Sequence, residues 1–253
     1  MAAATPRWRR LLLKVSGEAL AGTSGRPIDA EGLGPLVDAI AGAAREDIQL
    51  AIVGGGGNIL RGAQTRMPGL GRTAADTMGM LATVINAIAL QEVLESRGVP
   101  TRVMTAIEMK AVAEPYIRRR ALRHLEKRRV VILAGGTGHP YFSTDTAAAL
   151  RGVELGADVL LKGTQVDGVY DKDPKRHGDA RRFAQLSYED VLTRRLEVMD
   201  RTAFTLCEEQ RLPIVVFEMG VEGNLLRVIR GENVGTLISH APPGGATTGG
   251  PPR

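Results

Sequence analysis

The chain holds one cysteine, Cys207, so no disulfide can form within it; that suits a reducing compartment. Cys207 sits in the helical-looking stretch Ala203-Phe-Thr-Leu-Cys-Glu208, where a small buried apolar side chain is expected rather than a nucleophile. Aromatic residues are scarce at 4%, and the basic residues are dispersed or gathered in one helix-like run over 118–129. A nucleic-acid surface needs a groove-directed basic helix or stacking aromatics, so no nucleic-acid partner is expected. Long apolar runs are lacking too. After a basic N-terminus the first run is only Leu11-Leu-Leu13 before Lys14, too short for a signal peptide, and no segment is expected to approach bilayer-spanning length. No two of His124, His139, His177 and His240 have ligand spacing, so no direct metal site is expected. The expectation is a soluble cytoplasmic protein without a membrane partner.

Two common nucleotide fingerprints are also missing. There is no Gly-x-x-x-x-Gly-Lys-Ser/Thr run, which excludes a P-loop enzyme. Gly69-Leu-Gly-Arg-Thr-Ala74 fits the loose dinucleotide pattern, but Met67-Pro68 precedes it instead of a strand.

What is present is enough apolar residue, 43% of 253, to build a full core. The net charge of +5 reads as a solvated basic surface, and it also suits acidic small molecules such as nucleotides. Strand and helix patterns alternate, which predicts an α/β fold: a three-layer α/β/α sandwich with a largely parallel central sheet. Strands are expected at 10–15, 49–53, 101–107, 130–134, 157–161, 213–217 and 235–239. Helices are expected from an Asp29 N-cap to about Arg45, from Asp76 to Arg97, and over 114–128, 144–155, 188–199 and 223–230, with another through Leu206. The helix after Asp76 is apolar round most of its circumference, so it is buried in the core or against another subunit. One domain over 10–240 is expected, between a flexible 1–9 and a Pro/Gly-rich tail, 241–253, that cannot pack.

Four glycine-rich turns follow short apolar runs. They are Lys14-Val15-Ser16-Gly17, Gly54-Gly55-Gly56-Gly57-Asn58-Ile59-Leu60-Arg61, Gly135-Gly136-Thr137-Gly138-His139-Pro140-Tyr141-Phe142-Ser143-Thr144-Asp145, and Lys162-Gly163-Thr164-Gln165-Val166-Asp167-Gly168. Ligands of open α/β sheets bind at the carboxyl ends of the strands, and glycine turns let backbone amides approach phosphates. Two lysines, an arginine and an aspartate in such turns describe phosphoryl transfer, in which positioning and charge do the catalysis. Plainer roles stand beside these. Lys14 reads otherwise as a surface lysine of an edge strand, Arg61 as a helix-start arginine, Asp145 and Asp76 as N-caps, and Tyr170 as packing.

These turns, with Asp76-Thr-Met-Gly-Met-Leu-Ala-Thr83 and Val166-Asp-Gly-Val-Tyr170, resemble the amino acid kinase superfamily and, in detail, its bacterial-type uridylate kinase family. The resemblance covers roughly residues 10–239. It implies phosphorylation of UMP to UDP by ATP with Mg2+, in pyrimidine nucleotide biosynthesis, by a homo-oligomer of hexameric type. It implies a mainly UMP-binding lobe over 10–160 and a mainly ATP-binding lobe over 161–240. Lys14, Lys162, Asp145 and Arg61 are then catalytic, Asp145 organising the lysines and the magnesium, which the ATP phosphates hold. ATP would meet Lys14, Val15, Ser16, Gly17, Gly57, Arg61, Thr164, Tyr170 and Asp173. UMP would meet Gly56, Arg61, Asp76 and the loop Thr137, Gly138, His139, Pro140, Tyr141, Phe142, Ser143 and Thr144.

The same resemblance implies UTP as inhibitor and GTP as activator, through Gly22-Thr23-Ser24-Gly25-Arg26-Pro27 with Arg102 and Arg129. The first of these segments also reads as a flexible surface loop. Departures from the family pattern are His139 for asparagine, Ser143 for threonine, changes at Gly163 and Gln165, and Gln91 and Glu95 where basic residues serve the effector. A superfamily enzyme acting on a carboxylate or carbamate, and a non-catalytic nucleotide or oxyanion storage protein, remain the alternatives.

Overall fold

The computed structural model describes residues 6–21, 26–60 and 68–240. Strands β1 (Arg10–Val15), β2 (Gln49–Gly54), β3 (Thr101–Thr105), β4 (Glu114–Pro115), β5 (Val130–Ala134), β6 (Val159–Thr164), β7 (Gln185–Ser187), β8 (Ile214–Glu218) and β9 (Thr236–Ser239) form one sheet. Its order is β4-β3-β5-β2-β1-β6-β8-β9-β7, and every neighbouring pair is parallel except β8 with β9. The central strands are buried on both faces, as in Leu11-Leu12-Leu13, because helices cover both sides of a parallel sheet.

Helices α1 (Ala30–Ala44), α2 (Arg72–Ser96) and α7 (Asn224–Ile229) cover one face, where Leu11, Leu13, Ile52, Val84 and Val228 share a core. On the other, α3 (Arg118–Glu126), α4 (Thr144–Leu155), α5 (Tyr188–Thr193) and α6 (Arg201–Glu209) pack on Leu12, Val53, Val131 and Leu160. Alternate residues of β1 therefore serve opposite cores, and Lys14 falls on the α4 side. Asp29 caps α1 by accepting from the Gly32 amide, and Gly156 closes α4 at φ 63.

Several expectations are corrected. Helix α2 begins at Arg72 after Gly71, so Asp76 lies in its second turn and caps nothing. At 25 residues α2 is by length and composition able to cross a membrane, contrary to the expected absence of such a segment; here one side of it lies in the core. The helix expected over 114–128 starts only at Arg118, because Pro115 disfavours helical backbone at Glu114 and that pair forms β4. Helix α5 stops at Thr193, where Arg195 turns to φ 54. Burial pushes the Cys207 thiol up to about 12, which makes it an inert packing residue of α6. The tail over 241–253 and residues 1–5 lie outside the described residues.

Candidate active site

Strands β1 and β6 are parallel neighbours whose register sets Lys14 directly beside Lys162. Both side chains turn toward the first turn of α4 and meet Asp145. The Lys14 ammonium is 2.8 Å from Oδ1 and that of Lys162 is 2.7 Å from Oδ2. Lys162 also donates to the Val198 carbonyl at 2.6 Å. Ser143, not Asp145, is the N-cap of α4, its hydroxyl accepting from the amides of Asp145 and Thr146. Asp145 is thus freed to face the lysines.

Burial raises the Asp145 pKa, yet the two ammonium groups outweigh it and hold the carboxyl below its ordinary value. Burial and the neighbouring charge of Lys14 lower Lys162, with Asp145 pulling the other way. The Lys14 contact is close in distance but off the hydrogen-bonding direction, so Oδ1 is buried without a well-directed donor.

Glycine at the turns is required by close backbone approach. A Cβ on Gly17 would lie 2.7 Å from the Gly55 carbonyl and 2.9 Å from the Gly57 nitrogen. One on Gly56 would lie 2.7 Å from the Gly79 carbonyl of α2. Two buried polar side chains of α2 tie these turns down. Asn86 donates to the Gly55 carbonyl at 2.8 Å and pairs with Asn58, which reaches the Pro27 carbonyl. Thr83 accepts from the Gly135 amide at 2.8 Å.

A cavity of about 410 Å³ opens beside the lysine cluster. It is lined by Gly56, Asp76, His139, Tyr141, Phe142, Ser143 and Thr144 from the expected acceptor set, with Arg72, Thr146, Asp200, Arg201 and Thr202 besides. Thr137, Gly138 and Pro140 belong to the same loop without lining the cavity; the Thr137 hydroxyl bonds within it to His139. Asp200 caps α6 and accepts from the hydroxyls of Ser143 and Thr146.

A second cavity, of about 220 Å³, is lined by Val15, Ser16, Gly163, Thr164 and Gln165 together with α1 and Glu218 to Gly220. Tyr170 and Asp173 do not line it. Tyr170 bonds to Asp167 at 2.5 Å, and Asp173 accepts from the Lys175 amide in a local turn. Arg61, Gly22, Thr23, Ser24 and Gly25 lie outside the described residues.

At the expected effector positions, Arg102 is paired with Glu95 at 3.0 Å. Gln91 accepts from the Val103 amide, and Arg129 contacts His124 at 3.1 Å. Sequence reasoning missed Arg72, Thr83, Asn86 and Asp200. The one signal for Thr83 and Asn86 was a polar residue on an otherwise apolar helix.

The Amino acid kinase family profile matches residues 9–218. A chloroplastic uridylate kinase of Arabidopsis thaliana is 57% identical over 233 residues, covering 92% of this chain and 69% of the relative. The crystal structure of UMP kinase from Bacillus anthracis superposes with a TM-score of 0.89 at 40% identity, over 92% of this chain and 96% of that one. That of UMP kinase from Ureaplasma parvum gives 0.87 at 34% identity, over 92% and 99%.

Proposed function

We infer the reaction from one premise: the chain belongs to the amino acid kinase family and, within it, to the uridylate kinases. It is a nucleoside monophosphate kinase, moving the γ-phosphoryl of ATP to UMP. One observation carries our assignment of the site: two lysines of adjacent strands converge on one buried carboxylate beside a cavity large enough for a nucleotide.

In our reading UMP occupies the larger cavity. Asp76 meets its ribose, the loop over 137–144 wraps base and phosphate, and Arg61 with the Gly56 amide takes the phosphate. ATP lies against Val15, Ser16, Gly17, Gly57 and Thr164, with Tyr170 and Asp173 along its outer side. Lys14 and Lys162 flank the transferring group and meet the charge that develops on its oxygens. Asp145 fixes both ammonium groups. Held below the usual carboxylate range, it is an organiser and not a proton acceptor.

Among the described residues no group of three or more His, Cys, Asp or Glu could hold a metal ion directly. The buried Asp145 Oδ1 without a directed donor fits an acceptor for water on a Mg2+ held by the ATP phosphates. Such an ion would supply positive charge to offset that of the ATP phosphates.

The exposed side of α2 carries Met78, Leu81, Ile85 and Ile88, the three-four-three spacing of a helix-pairing seam. We take this stripe as a subunit contact of a homo-oligomer, hexameric by family. Ile85→Glu should shift sedimentation toward smaller species, and an unchanged profile would remove α2 from the contact. UTP, sharing its uridine with the acceptor, should compete with UMP. A single buried thiol and no disulfide support a cytoplasmic setting.

The reaction is tested by coupled ADP release with UMP, CMP and acetylglutamate. Turnover with UMP alone, or UMP far above CMP, is expected. Turnover only with acetylglutamate would replace this reading by the carboxylate-kinase alternative, and none with any acceptor would favour storage.

A further inference from the structure

Four non-glycine residues among those described have positive φ: Arg128, Tyr141, Arg195 and Arg211. The three arginines each follow a helix, and the next amide closes it: Arg129 onto His124, Leu196 onto Val191, Leu212 onto Cys207. That is the ordinary left-handed helix ending. Tyr141, at φ 73, ends no helix. A bulky residue held there is strained, and such strain persists only where surroundings impose it.

The surroundings are three residues of the first turns of α2. The Tyr141 amide donates to Asp76 Oδ2 at 2.9 Å. Its hydroxyl is 3.1 Å from that of Thr73. The Arg72 guanidinium stands 5.7 Å from the ring centre, within cation–π range. Arg72 also shares its Nε–H between both Asp76 oxygens, at 2.8 and 2.7 Å. A carboxylate has about four lone-pair sites; Arg72 and Tyr141 use three of those on Asp76, and all three residues line the larger cavity.

We propose that Arg72 is a positioning residue: with Asp76 it locks Tyr141 in its left-handed conformation and so presets the acceptor subsite before UMP arrives. This rests on the reading of the larger cavity as that subsite. Arg72 is half-exposed and far more solvated than the lysine cluster, so it acts on acceptor binding and not on phosphoryl transfer. Without it, the unliganded loop relaxes, and UMP must re-form the strained turn on binding.

The test is a cycle of Arg72→Ala, Tyr141→Gly and the double variant, with kcat and KM measured separately for UMP and ATP. Glycine adopts φ 73 freely, so the loop no longer needs the lock. Arg72→Ala should raise the UMP KM roughly tenfold, the usual scale for one strained residue, with a much smaller fall in kcat and no change in the ATP KM. In the Tyr141→Gly background the same substitution should raise the UMP KM far less. Equal effects in both backgrounds would overturn the proposal, since Arg72 would then act independently of Tyr141. So would a loss confined to kcat. Asp76→Ala, run in parallel, separates the two levels. A large rise in UMP KM for Asp76→Ala without one for Arg72→Ala sinks the lock alone, whereas no rise for Asp76→Ala sinks the subsite reading and the lock with it.

Discussion

Replacing Asp145 by asparagine keeps the side chain's shape and removes its charge. Two ammonium groups, each within 2.8 Å of the carboxylate, are left in a site where side chains are only 12–14% exposed. Stripping one partner from a buried ionic cluster costs about 3–5 kcal/mol, within the roughly 5–15 kcal/mol that stabilises a domain. The variant should therefore fold, melt lower and still bind ATP. Losing a preorganised electrostatic group costs about 10²–10³ in kcat, and here both lysines lose their common anchor, so the loss should reach at least that range.

The pH dependence adds a second reading. Asp145 has its folded pKa lowered from 3.8, so its stabilisation is present above that value and lost as pH falls through the folded one. Lys162 has its pKa lowered from 10.5 by burial first and Lys14 second, and Asp145 opposes this. Without Asp145 it drops further. A cation with a lowered folded pKa penalises folding at neutral pH, and the penalty fades as pH rises toward the unfolded value. The melting gap between wild type and Asp145→Asn should be widest near neutrality and narrow toward both extremes. Coupled ADP release and melts across pH check this. Near-wild-type turnover, or a gap that does not change with pH, would refute the role given to Asp145.

Arg61→Ala should weaken UMP far more than ATP, by about tenfold to a hundredfold for one charge-assisted contact; calorimetry with each nucleotide would show it, and unchanged UMP affinity would count against the assignment. Asn86→Ala strands the Gly55 carbonyl and Asn58 and should cost about 1–3 kcal/mol in denaturant unfolding, with weaker ATP binding because the β2 turn loses its tie. GTP should have a small effect or none, since Glu95 already neutralises Arg102 and repels an anionic ligand. Initial rates across GTP concentrations at fixed UMP decide this, and strong activation at micromolar GTP would refute it.

Much of this was legible in the sequence where local rules act alone. The strands at 10–15 and 130–134 and the helix at 144–155 match the structure residue for residue, because apolar runs and glycine stops define them, although the cap of that helix is Ser143 and not Asp145. The short edge strands β4 and β7 were missed, since two or three residues carry no period. The start of α2 was placed four residues late because Asp76 looked like a cap while Gly71 gave no signal. Lys14, Lys162 and Asp145 were readable because each sits in a glycine turn. Arg72 and Asp200 were not: Arg72 meets the Tyr141 ring and Asp200 the hydroxyls of Ser143 and Thr146, and that proximity to a distant loop exists only after folding.

The pairing of β1 with β6 has a kinetic meaning. Lys14 and Lys162 become neighbours only when strands from opposite ends of the chain's first two-thirds lie side by side, a non-local event that comes late because loop closure must precede any gain from contact. Helices α1 and α2 can form before that pairing, and although they line the two cavities they do not bring the lysines together. During refolding, helical circular dichroism should therefore recover before turnover does, and the lag between them times the closing of the central sheet.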